Sequence, residues 1–144
     1  MPGHLRTFAL FSCVVAFVLA APAQAAPTEM EERLVKRINE VRAAHGLRQL
    51  RYSGRLGEGA SDWSRYLMRR DSFHHGSLRA GTGEVIAWGT CEWFRPGRAV
   101  RMWMRSSGHR ALLLRRGFRA VGTGWARGPW RSYGCVEMAV ARFR

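Results

Sequence analysis

The sequence predicts an α+β fold, and three observations predict it. Amphipathic helical patterns occupy most of the stretch from residue 28 to residue 114. Two runs of alternating apolar residues close the chain, and a glycine-flanked apolar run lies among the helices. Such an order leaves helices covering one small sheet.

Residues 1–25 stand apart from that domain. Arg6 gives a positive start, Phe8 to Ala21 is apolar apart from Ser12 and Cys13, and Ala23-Gln24-Ala25 offers a cleavage site before Ala26. The apolar run is shorter than the roughly 20 residues of a spanning helix, so it reads as a cleavable export signal. Cys13 is no lipidation site on this reading, because Phe11 sits badly two places before it and more apolar sequence follows. Residues 26–144 have the size of one domain, with no internal repeat, linker or low-complexity stretch.

The first helix is announced by Thr28 and Glu31, which form a capping box, and by acidic residues in the opening turn. Leu34, Ile38 and Val41 share one face, and Gly46-Leu47 supplies the left-handed stop with its apolar contact. A short connection through Leu50 and Tyr52 leads to a second helix. There Leu56, Ala60, Trp63 and Leu67 recur at helical spacing, with Arg65, Arg69 and Arg70 mostly off the stripe. That helix ends near Asp71, and a loop with Phe73, His74, His75 and Gly76 follows.

Gly81 to Gly89 reads as a brief strand or an extended loop. Pro96 suits the first turn of a third helix, with Ala99, Val100, Trp103 and Met104 inward and Arg98, Arg101 and Arg105 as a basic ridge. Ser106 to Arg110 forms a turn that opens a short helix through Leu114. Val121, Thr123 and Trp125, then Val136, Met138 and Val140, alternate as two antiparallel strands about a turn at Gly128-Pro129.

Charge is the loudest feature of the composition. Lys and Arg number 24 against 10 Asp and Glu, for a net charge of +14. Lys36 is the one lysine. The excess reads either as attraction to anionic surfaces or as an arginine-rich solvated exterior. After cleavage two cysteines remain, Cys91 and Cys135. In an oxidising compartment they read as one disulfide, the alternative being two buried free thiols. No G-x-S-x-G elbow, H-E-x-x-H helix, dinucleotide-binding fingerprint or P-loop occurs.

Several segments, taken in order, resemble the CAP superfamily of cysteine-rich secretory, antigen-five and pathogenesis-related proteins, and more closely its compact bacterial branch. Asn39-Glu40-Val41-Arg42 is similar to N-x-x-R, followed by Gly46-Leu47 and Leu50. Phe73-His74-His75 resembles F-S-H, and Gly83-Glu84-Val85-Ile86-Ala87 resembles G-E-N-I-A with Val85 in the Asn position. Trp103 to Arg110 is similar to W-M-x-S-P-G-H-R, with Ser107 for Pro. The resemblance spans almost all of residues 26–144.

It implies a three-layer α-β-α sandwich around a small antiparallel sheet. It also implies a cleft where two histidines meet two acids: here His75, His109 and Glu84, with Ser106 where the second acid would fall. His74 is the local rival of His75. Two imidazoles and a carboxylate can hold zinc and leave a position for water, or can form a structural polar network. The expected protein is secreted and extracellular, or periplasmic where an outer membrane exists. A monomeric, non-catalytic binding module is expected, its ligand an acidic lipid, a sterol or an anionic envelope polymer. Export and the lack of a recognition motif argue against nucleic acid. The alternative is a metal-dependent hydrolase using His75, Glu84 and His109.

Overall fold

The computed structural model describes residues 26–144, so the export signal read at 1–25 lies outside the described residues. Four helices and four strands follow one another: α1 (Glu29–Ala44), β1 (Arg51–Tyr52), α2 (Gly54–Arg69), β2 (Gly83–Thr90), α3 (Pro96–Arg105), α4 (Ser107–Leu113), β3 (Ala120–Pro129) and β4 (Cys135–Phe143). The sheet order is β1-β3-β4-β2. Helices lie on both of its faces, which is the expected three-layer arrangement.

The alternation of the strands sorts the core into two layers. Val85, Ala87, Ala139, Ala141 and Phe143 pack with Leu34 and Ile38 of α1 and with Ala99, Val100 and Trp103 of α3. Ile86, Met138 and Val140 point the other way, onto Ala60 and Leu67 of α2. Period two in the strands therefore decides which helix each residue meets.

Helix α2 lies directly on β3. A β-carbon at Gly122 would stand 2.1 Å from the Gly57 amide nitrogen, and one at Gly124 would stand 2.3 Å from the Ala60 carbonyl group. Only glycine permits that backbone approach. The same contact turns the buried stripe of α2 toward Gly57, Ala60, Ser64, Leu67 and Met68, leaving Leu56 and Trp63 half-buried.

The capping signals of α1 hold in detail. The Thr28 hydroxyl accepts from the Glu31 amide, and the Thr28 amide donates to Glu31 Oε2 at 2.7 Å. Gly46 has φ +65°, and the Leu47 amide donates to the Arg42 carbonyl at 2.9 Å, closing the C-terminus. Pro96 opens α3 as expected.

Two expectations need correction. The connection at Leu50–Tyr52 contains β1, which pairs parallel to β3, so the sheet is not wholly antiparallel. The Arg51 and Ser53 amides reach the carbonyls of Arg119 and Val121 at 3.0 and 2.9 Å, a pairing that two residues of sequence do not advertise. The turn also lies later than Gly128-Pro129. β3 continues through Pro129, which pairs with Cys135, because β1 has ended and no second strand needs the missing proline amide. The chain reverses at 130–134 instead, with Arg131 at φ +51° and Gly134 at +72°.

Cys91 and Cys135 form the disulfide, joining the end of β2 to the start of β4 across a sequence separation of 44. Among the described residues, no helix is long and apolar enough to cross a membrane.

Candidate functional site

Glu84 and Arg142 are direct cross-strand partners of β2 and β4. Both lie in register with the residues that face α2. The Glu84 side chain is completely buried, and that of Arg142 is 18% exposed. Arg142 Nε donates to Glu84 Oε2 at 2.9 Å, which supplies the counter-charge a buried carboxylate requires.

The loop after α2 completes the cage. The Gly76 amide donates to Glu84 Oε1 at 2.9 Å, and His75 Nδ1 lies 3.1 Å from the same oxygen. Gly76 packs closely here: a β-carbon would stand 2.9 Å from Arg142 Nη2 and 3.3 Å from Trp63 Cε2, so the guanidinium would have to shift. Gly59 of α2 opens the other side, since a β-carbon there would meet Arg142 Nη1 at 2.8 Å.

The two neighbouring histidines separate cleanly. The His74 ring packs edge-on against Trp63 at 5.2 Å, and the His74 carbonyl accepts from Trp63 Nε1 at 3.3 Å. That leaves His75 to face Glu84. Helix α4 brings His109 beside it, the two ring centroids 6.0 Å apart. Burial lowers the His109 pKa, and the charge of His75 lowers it further. Ser106, in the position of a second acid, sits at the junction of α3 and α4 and makes no side-chain capping bond.

His75, Glu84 and His109 therefore come together, but as a bonded pair with a neighbour. A catalytic zinc centre keeps three protein ligands and an open position. Both oxygens of Glu84 are already engaged, one of them by a guanidinium that would repel a cation. Among the described residues, no group of three His, Cys, Asp or Glu converges to hold a metal ion. The remaining donors are the imidazoles of His75 and His109. The donor set thus falls short of a catalytic zinc centre.

Other motif residues hold the fold. Asn39 donates to the Leu50 carbonyl at 3.0 Å and accepts from the Leu50 amide at 2.8 Å, so it pins the segment leading into β1. Arg42, completely buried, donates to the carbonyls of Arg48, Leu113 and Arg115. Trp103 Nε1 donates to the Ile86 carbonyl at 3.0 Å and ties α3 to β2.

Sequence reasoning missed Arg142, Gly76 and Trp63 as parts of this site. The signal for Arg142 was present: the run Val136, Met138, Val140 continues by two to Arg142, placing a cation on an inward face.

A profile of the CAP family, the cysteine-rich secretory protein family, matches residues 35–143, and the chain belongs to that family. Among solved structures it is similar to an outer surface protein from Borrelia burgdorferi, with TM-score 0.63 and 19% identity, covering 81% of this chain and 94% of that one. It is similar to an extracellular SCP-domain protein from Bacillus anthracis, with TM-score 0.61 and 21% identity, covering 78% of this chain and 39% of that one. A structure of NaASP2 with Zn2+ gives TM-score 0.62 and 12% identity, covering 86% and 83%. At these identities the likeness is one of fold. No curated protein matches the chain.

Proposed function

We propose that the protein is an exported binding module of the CAP family, and not a hydrolase, and that it takes an anionic or lipid-like ligand outside the cytoplasm. On this reading residues 1–25 are its cleavable leader and residues 26–144 its single domain, working as a monomer. The observation that carries the proposal is the state of Glu84. Its two oxygens are consumed by Arg142, His75 and the Gly76 amide, so the cleft offers no carboxylate to activate water.

Export is supported by the leader-like composition of residues 1–25 and by the Cys91–Cys135 bridge, which suits an oxidising compartment. An anionic ligand is supported by the net charge of +14. Acidic lipid, sterol and anionic envelope polymer all remain within the proposal, and the net charge favours the charged ligands over the sterol. Co-sedimentation with phosphatidylglycerol vesicles at low salt should retain the protein, and phosphatidylcholine vesicles should not. Failure to pellet with acidic vesicles even at low salt would remove the acidic-lipid form of the proposal. Turnover of peptide or ester libraries that stops on chelation would overturn the non-catalytic reading.

A further inference from the structure

Helices α1 and α3 border a groove of about 480 Å³ whose wall carries six cations. Arg33, Lys36 and Arg37 come from α1; Arg95, Arg98 and Arg101 come from the start of α3. Among the described residues, no acidic side chain lines it. The sequence showed only the α3 half of this arrangement, as a ridge at Arg98, Arg101 and Arg105.

The charges are only partly satisfied. Arg33 and Arg37 pair with Glu29 and Glu40 along α1, but both pairs are solvent-exposed and such pairs hold weakly. Arg95 faces Glu137 at 3.8 Å. Among the described residues, Lys36, Arg98 and Arg101 have no ion pair. Gly97 sits where the two helices come close: a β-carbon there would lie 3.5 Å from Arg101 Nη1 and 3.8 Å from Arg37 Nε. Two guanidinium groups from different helices thus converge beside Gly97, in the first turn of α3, whose N-terminus no side chain caps. The helix dipole adds to the positive potential at that point.

We infer that this groove binds the phosphate groups of a multiply charged anion, held between Arg37 and Arg101 and flanked by Lys36 and Arg98. Guanidinium forks match phosphate oxygens in pairs. A planar carboxylate presents its oxygens in one plane, whereas a tetrahedral phosphate fans them toward both walls. Like charges gathered on one groove repel one another until an anion enters. The inference rests on the proposed anionic-ligand function and deepens it by naming the site and the ligand chemistry.

Calorimetric titration with tripolyphosphate tests it, using the full exported domain, its Arg37→Gln/Arg101→Gln variant and a control variant, Arg70→Gln/Arg116→Gln, with equal charge loss elsewhere. The expected result is binding by the wild-type protein, a loss of about tenfold or more in the groove variant, and little change in the control. Circular-dichroism melts of all three confirm that each is folded. Equal weakening in both variants would overturn the groove while leaving the anionic-ligand reading intact. No binding of tripolyphosphate or of phosphatidylglycerol vesicles by the wild type would overturn both. Groove-dependent retention on the vesicles assigns the phosphate to a lipid headgroup; groove-dependent binding of tripolyphosphate alone assigns it to a soluble anion.

Discussion

Arg42 and Arg142 are two inward-facing arginines in regions built on opposite principles. Among the described residues Arg42 has no carboxylate partner; it is held by carbonyl oxygens from three residues, gathering the ends of α1 and α4. Its pKa is lowered, mainly by burial and then by Arg119. Arg142 instead meets a carboxylate across the sheet, and that carboxylate also holds the histidine loop. A shared motif therefore does not distinguish structural from site residues. Arg42 lies in the more recognisable motif yet only braces the fold, whereas Arg142 belongs to no motif and organises the cleft.

Replacing Arg42 should have the largest effect. Arg42→Met should leave buried carbonyls unpaired and cost about 3–5 kcal/mol, read as a lower urea midpoint. Arg42→Lys should recover only part, since its three donors radiate from one nitrogen, whereas Arg42 reaches the carbonyls from Nε and Nη1. A loss below about 1 kcal/mol would mean that water replaces the guanidinium.

Glu84→Gln should cost somewhat less, about 2–4 kcal/mol, because Arg142 keeps some contact with solvent. In a double-mutant cycle, Arg142→Leu should cost less on top of Glu84→Gln than in the wild type. Simple additivity would show that the two are not coupled.

A smaller effect concerns pH. The His109 pKa lies below 6.5 in the folded protein, so the unfolded chain takes up that proton first. Stability should therefore fall as pH drops through about 6.5, and above it this group should contribute nothing. His109→Gln should flatten this part of the melting-temperature profile, and an unchanged slope would exclude His109 as its source. The smallest expected effect is that of zinc. Millimolar zinc should stabilise the wild type no more than His75→Ala/His109→Ala, because the donor set lacks a third ligand.

Much of the fold was legible in the sequence because its signals are local. The Thr28–Glu31 box, the Gly46 stop, Pro96 and the Leu34–Ile38 face are read within one or two helical turns. β1 was not legible, since two residues carry no period, and neither was the reversal at 130–134, where Gly128-Pro129 was the more familiar turn signal. Of the cleft, the motif order pointed to His75, Glu84 and His109 but could not say that Glu84 is already spent. That depends on Arg142, which is 58 residues away in the chain.

Where helices begin and end, which faces are apolar, and that Cys91 and Cys135 are the two cysteines beyond residue 25 could all be read along the chain. These follow from backbone capping, side-chain periodicity and residue count, all of which act over short distances. Folding in three dimensions was needed to bring Glu84 to Arg142, to turn His74 to Trp63 and His75 to Glu84, and to line one groove with cations from α1 and α3. Strand register and helix packing set those meetings, and both arise between segments that carry no local record of each other.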